Sequence, residues 1–149
     1  MKVVFIMGSE SDREFADKIL AKLGDWKVET EVLVASAHKV PEKVFDIVTK
    51  NNESEDNIVY ITIAGRSNGL SGVTAANSIH PVIACPPFKD KEDFMVNINS
   101  TLQMPSDTPV LTVIDPGNAA MAAVRILALK DEGLKAKVIE RIKEIKASF

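Results

Sequence analysis

Five apolar runs of strand length, at residues 3–7, 28–34, 58–63, 79–84 and 110–114, are separated by segments with helical spacing. Most of these runs are continuously apolar, the pattern of strands covered on both faces. A helix between consecutive strands then implies right-handed crossovers into a parallel sheet. The expected fold is α/β: a three-layer, flavodoxin-like doubly wound sheet of five parallel strands in the order 2-1-3-4-5, with a C-terminal helix. No linker, internal repeat or low-complexity stretch breaks the pattern, so residues 1–149 read as a single domain. A chain this long buries roughly 68–70% of its unfolded surface on folding, enough for a core without disulfides or structural metal.

Local signals mark the helices. Ser11-Asp12-Arg13-Glu14 has the form of a capping box ahead of Phe15, Ile19, Leu20 and Leu23, and Gly24 stops that helix. Pro41 opens the second, which should carry Val44, Phe45 and Val48 inward and fray at Asn51-Asn52. Residues 118–129 are rich in alanine and apolar on nearly every face, so a buried helix with Asn118 as N-cap is expected there. Leu134, Val138, Ile142 and Ile145 form one apolar stripe on a charged C-terminal helix, which either folds back on its own sheet or docks on a neighbour. Residues 90–104 are the least regular, with charged and amide residues among the apolar ones, and read as a helix.

Charge and cysteine content remove several function classes. Eighteen basic against 21 acidic residues give a net charge of −3, the wrong sign for holding nucleic acid through counterion release. The apolar opening ends at Gly8-Ser9-Glu10, far short of a membrane span or a signal peptide's apolar region, so no membrane association is expected. A single cysteine, Cys85, with no Cys/His ligand cluster excludes a disulfide scaffold and a zinc finger. It favours a reducing, cytoplasmic compartment.

Ligands of open parallel sheets bind outside the carboxyl ends of the strands, which makes the five loops there the candidates. Gly8, Ser9 and Ser11 precede a helix N-terminus and suit an anion, although alone Ser9, Ser11 and Asp12 read rather as caps of that helix. His38 follows the second strand on the ligand side. An imidazole there can shuttle a proton, and the adjacent Lys39 offers a point charge to an anionic substrate. His80 lies at the opposite end of the sheet and reads as structural. Gly65, Gly69 and Gly72 let backbone approach a ligand, with Ser67 and Asn68 adding side-chain hydrogen bonds; an ordinary loop would look the same. Cys85, between Ala84 and two prolines, reads as a small buried residue.

Other nucleotide and flavodoxin-like functions fit poorly. The first loop has neither the Walker A ending nor the three glycines of a dinucleotide loop. Ala64-Gly65 and Asp115-Pro116 stand where a phosphoreceiver domain needs an aspartate and a lysine, and one Trp and one Tyr give little for stacking a flavin. No His/Asp/Glu cluster has metal-ligand spacing.

Taken together, Met7-Gly8-Ser9 with Ser11-Asp12, Ser36-Ala37-His38-Lys39, Ala64-Gly65-Arg66-Ser67-Asn68-Gly69-Leu70, Ala84-Cys85-Pro86-Pro87, Met104-Pro105 and Asn118-Ala119-Ala120 resemble the phosphoribosylaminoimidazole (AIR) carboxylase family of purine biosynthesis. The likeness runs from Met7 to about Leu129, and implies one AIR carboxylase domain over 1–149. Arg66-Ser67-Asn68, in place of a loop with its own histidine, and Lys39, in place of arginine, resemble the direct-carboxylase (class II) branch, which joins AIR and carbon dioxide without ATP or biotin. Without the fused synthetase domain of the animal enzymes the sequence looks like a free-standing member, and those are mostly of the other branch, the N-carboxy-AIR mutases. The resemblance implies that Ser9, Ser11 and Lys39 hold the ribotide's phosphate and ribose, with Asp12 accepting from ribose hydroxyls. Ser36, Gly65 and Ser67 would fix the imidazole and the carboxyl group, and His38 would move the proton. It further implies no cofactor or metal and a tetramer or octamer with shared active sites. A ribotide-binding module without chemistry is the alternative of another class.

Overall fold

The computed structural model describes residues 1–149. In chain order the elements are β1 (Lys2–Met7), a 3-10 turn (Glu10–Asp12), α1 (Arg13–Gly24), β2 (Glu29–Val34), α2 (Pro41–Asn52), β3 (Ile58–Ile63) and α3 (Gly69–Asn77). There follow β4 (Val82–Ala84), α4 (Lys91–Leu102), β5 (Leu111–Thr112), α5 (Pro116–Leu127) and α6 (Glu132–Ala147). The strands form one parallel sheet in the order β2-β1-β3-β4-β5, as the apolar runs predict.

Strand residues alternate between two cores. Val3, Phe5 and Met7 of β1 face α1, α5 and α6, where they meet Ile19, Ala123 and Leu134. Val4 and Ile6 face α2 and α3, against Val44, Val48 and Leu70. Both faces of the sheet are therefore covered, which is why β1 from Val3 on and β3 apart from Thr62 are apolar on successive residues. Each fully buried side chain of this size contributes roughly 1.5–3 kcal/mol.

Register brings the strand ends to one edge. Met7 lies opposite both Val34 and Ile63, and Ala84 opposite both Thr62 and Thr112. The next residues extend the ladders: Gly8 N–H donates to Ile63 O, Ala35 N–H to Met7 O, and Cys85 N–H to Thr62 O, each at 2.9 Å. Four candidate loops thus leave the sheet side by side.

Several local expectations change. β4 begins at Val82, not at residue 79: Ile79 is 73% exposed and the Pro81 carbonyl accepts from Tyr60 N–H, while Pro81 has no N–H to give. β5 is cut to two residues at the sheet edge. Phe45 is 44% exposed, because the inward stripe of α2 runs Val44, Val48, Asn51 and leaves Phe45 a hundred degrees away. The capping box of α1 does not form. Ser9 instead caps the 3-10 turn, accepting from Ser11 N–H (3.3 Å), and Asp12 enters α1 already in helical backbone geometry without a side-chain cap. The N-cap of α5 is Asp115, accepting from Asn118 N–H at 2.7 Å, because Pro116 takes the first helical turn and leaves Asn118 inside the helix. α6 folds back on its own chain, burying Leu134 and Val138 in the first core. No helix is long and apolar enough to cross a membrane.

Candidate active site

The loops after β1, β2 and β3 meet where crossovers diverge to opposite faces, the switch point of a doubly wound sheet. After β2 the chain makes a tight turn: Val40 N–H donates to the Ser36 carbonyl (2.9 Å) and Lys39 N–H to Ser36 Oγ (3.3 Å). Ser36 thereby holds its own turn, and His38 and Lys39 stand exposed on it. The His38 ring rests on the start of α3. A Cβ added at Gly69 would lie 3.1 Å from His38 Nε2 and 3.2 Å from Cε1, so glycine there permits the approach. On the other side, a Cβ at Gly8 would lie 3.4 Å from Ala64 Cβ, which sets the first loop against the third. His38, Gly8 and the segment 64–69 thus form one cluster at one edge of the sheet.

Within the first loop Ser11 Oγ donates to Ser9 Oγ (2.9 Å), leaving both hydroxyls exposed. Burial raises the Asp12 carboxyl above its ordinary value, and a hydrogen bond from the Ser9 backbone partly offsets this. In the third loop Ser67 is exposed, whereas Asn68 is buried. Asn68 caps α3: its Oδ1 accepts from Ser71 N–H (3.2 Å), its Nδ2 donates to Ser71 Oγ (2.8 Å) and Thr101 Oγ1 (3.1 Å), and its own N–H donates to Ser100 Oγ (2.8 Å). Its side chain is buried and holds the loop to α3 and α4.

The partners of that loop lie on α4, where sequence reading assigned no function. Asn97 is buried and binds both Arg66 N–H and the Pro87 carbonyl. The available signal was the run of polar Asn97 and Thr101 at i, i+4, one helical face that an apolar-stripe search treats as interruption.

The remaining candidates fall outside the cluster. His80 Nε2 lies 3.0 Å from the Asn51 carbonyl, at the amino end of the sheet. Cys85 is fully buried, and burial, helped by the Asp115 charge, pushes its thiol up to about 12. Only about 10⁻⁴ of such a thiol is thiolate at pH 8. Iodoacetamide should therefore label the native protein at pH 8 at least about a hundredfold more slowly than the urea-unfolded chain. Comparable rates by mass spectrometry would place the thiol in an accessible, reactive setting. No group of three or more His, Cys, Asp or Glu side chains stands together as a metal site would require.

Known proteins resemble this chain in sequence and fold. A sequence profile described as AIRC, AIR carboxylase, matches residues 2–148. The chain is 48% identical over 140 residues to the phosphoribosylaminoimidazole carboxylase of Archaeoglobus fulgidus, covering 94% of this chain and 76% of that one. It is 47% identical over 146 residues to the N5-carboxyaminoimidazole ribonucleotide mutase of Methanocaldococcus jannaschii, covering 97% and 90%. The crystal structure of Treponema denticola PurE superposes with a TM-score of 0.90 at 35% identity, over 98% of this chain and 92% of that one. With a family profile spanning nearly its whole length and its loop motifs gathered at one edge of the sheet, this chain belongs to the AIR carboxylase family.

Proposed function

We propose that residues 1–149 act as one catalytic unit that reversibly carboxylates 5-aminoimidazole ribonucleotide with carbon dioxide, giving the 4-carboxy ribonucleotide in purine biosynthesis. The observation that carries this reading is the His38 ring resting on Gly69, an exposed imidazole at the junction of three ligand-side loops. AIR is enamine-like, so its ring carbon attacks the carbon of carbon dioxide. The new carbon–carbon bond forms as one C=O electron pair moves to oxygen, leaving a carboxylate. His38 then takes the proton from the tetrahedral ring carbon and aromaticity returns; in reverse it delivers that proton. Ser9, Ser11 and Lys39 hold the phosphate and ribose at the N-terminal side of α1, and Asp12 accepts from ribose hydroxyls. Ser36, Gly65 and Ser67 flank the heterocycle and its carboxyl group. The chemistry assigned here uses no cofactor or metal.

The direct branch is favoured by Arg66-Ser67-Asn68 and Lys39. The mutase reaction, moving a carboxyl group from nitrogen to ring carbon, is favoured by the Methanocaldococcus relative at nearly the same identity. Purified protein given AIR with bicarbonate, and separately N-carboxy-AIR, decides between them by ultraviolet detection of the 4-carboxy product. Product from the first mixture is expected. Product from the second alone would make the protein a mutase, and product from neither would leave a ribotide-binding module.

We also read the protein as cytoplasmic and as a homo-oligomer, a tetramer or octamer with shared sites, without nucleic-acid or membrane partners. Support for the oligomer comes from Met95, Val96, Leu102 and Leu111, large apolar side chains that a lone chain leaves exposed, Leu102 in a cleft of about 500 Å³ that Met104, Pro105 and Val110 also line.

A further inference from the structure

The loop that presents Ser67 has one local backbone bond, from Gly69 N–H to the Ser67 carbonyl (3.0 Å), and at Arg66 it is held from outside its own sequence. Arg66 sits in the left-handed region, with φ of 56°, a conformation disfavoured for any residue that carries a Cβ. Its N–H donates to Asn97 Oδ1 at 2.6 Å, and Asn97 Nδ2 donates to the Pro87 carbonyl at 2.8 Å. One side chain of α4, only 3% exposed, thus ties the loop after β3 to the loop after β4. Gly65 closes against the same amide: a Cβ there would lie 3.1 Å from Asn97 Nδ2 and 3.7 Å from the Pro87 carbonyl oxygen. The N–H groups on either side of Arg66, those of Gly65 and Ser67, have no acceptor within the chain.

From this geometry we infer that Asn97 is a positioning residue for the carboxylation step. It pins the left-handed turn at Arg66, and the pinned turn holds the flanking Gly65 and Ser67 N–H groups as paired donors for the carboxyl group that forms on the ribotide. The inference rests on the proposed carboxylation chemistry. Paired amide donors set in advance are the usual device for stabilising charge that develops on oxygen, and their alignment affects the transition state more than ground-state binding. The ribotide's phosphate lies with other loops, so loss of the pin should leave substrate affinity largely intact.

Asn97→Ala should lower kcat at least tenfold while KM for the ribotide stays within about threefold, a split that misplacement of donors produces and loss of binding does not. Hydrogen exchange at the Arg66 amide should accelerate at least tenfold as its acceptor disappears. The same substitution placed in an Arg66→Asn protein should cost no more than about a third of that fold-loss, because asparagine takes left-handed geometry more readily and depends less on the pin. All rates are to be read well below the melting midpoint of every variant, so that unfolding contributes nothing. A kcat for Asn97→Ala within twofold of the parent, or an equal fold-loss in both backgrounds, would overturn the inference. Were the parent protein to convert neither ribotide, the functional reading would fall separately. Arg66 amide exchange would then judge the pin, and exchange unchanged by Asn97→Ala would refute it.

Discussion

Asparagine in place of His38 is expected to lower kcat by about 10²–10⁴-fold, the usual contribution of a positioned proton-transfer group, while ribotide affinity changes little. The structure makes this a clean substitution. His38 is exposed on a turn that Ser36 and Val40 hold without it, and its ring contributes to neither core. Asparagine is smaller than imidazole, so the close approach to Gly69 brings no clash. The variant should melt within a degree or two of the parent and still titrate with ribotide by calorimetry. An active His38→Asn protein would remove the imidazole from the mechanism. A variant that loses affinity in the same proportion as turnover would make it a binding group instead. Gly69→Ala tests the same contact from the other side: its methyl would lie 3.1–3.2 Å from the ring, inside ordinary van der Waals contact, displacing the imidazole and lowering turnover without replacing any ionisable group.

Asn68→Ala should produce the largest loss of stability among the site substitutions, about 2–4 kcal/mol. One part is the lost N-cap of α3; the other is the loss of two buried hydrogen bonds to the Ser71 and Thr101 hydroxyls, which keep only Thr62 Oγ1 and the Asn97 carbonyl as partners. In a protein of this size that lowers the melting midpoint by roughly 5–15 °C. Urea unfolding checks the value. Asn68→Asp keeps the cap oxygen but loses the donor to Thr101, so it should fall between parent and alanine. A loss under about 0.5 kcal/mol for Asn68→Ala would show that water replaces the network, returning Asn68 to the pool of possible ligand contacts.

Much of the site was legible because a parallel sheet converts sequence position into spatial position. Once the apolar runs are recognised as strands of one register, Gly8, Ala35, Ala64 and Cys85 have to emerge at the same edge, and His80 at the other. Helix ends were less legible. Ser11 and Asn118 both have the right composition for a cap, yet the cap goes to Ser9 and to Asp115, since a preceding 3-10 turn and a proline at the first helical position shift the boundary by two or three residues. The helix least readable in the sequence, α4, holds the loop after β3. Its inward face is polar and binds backbone, so periodicity of apolar residues is blind to it.

Local patterning of apolar and polar residues was sufficient for the strand order, the two-sided core and the identity of the loops at the ligand edge, because burial acts on each element through its own repeat. Tertiary structure alone decided which loop residues remain available to a substrate. Ser67 and Asn68 are adjacent and both polar, but one is exposed and the other buried under α4. Their difference comes from partners some thirty residues away, Ser100 and Thr101, and from a hydrogen-bond geometry that exists only once the third and fourth crossovers have packed together.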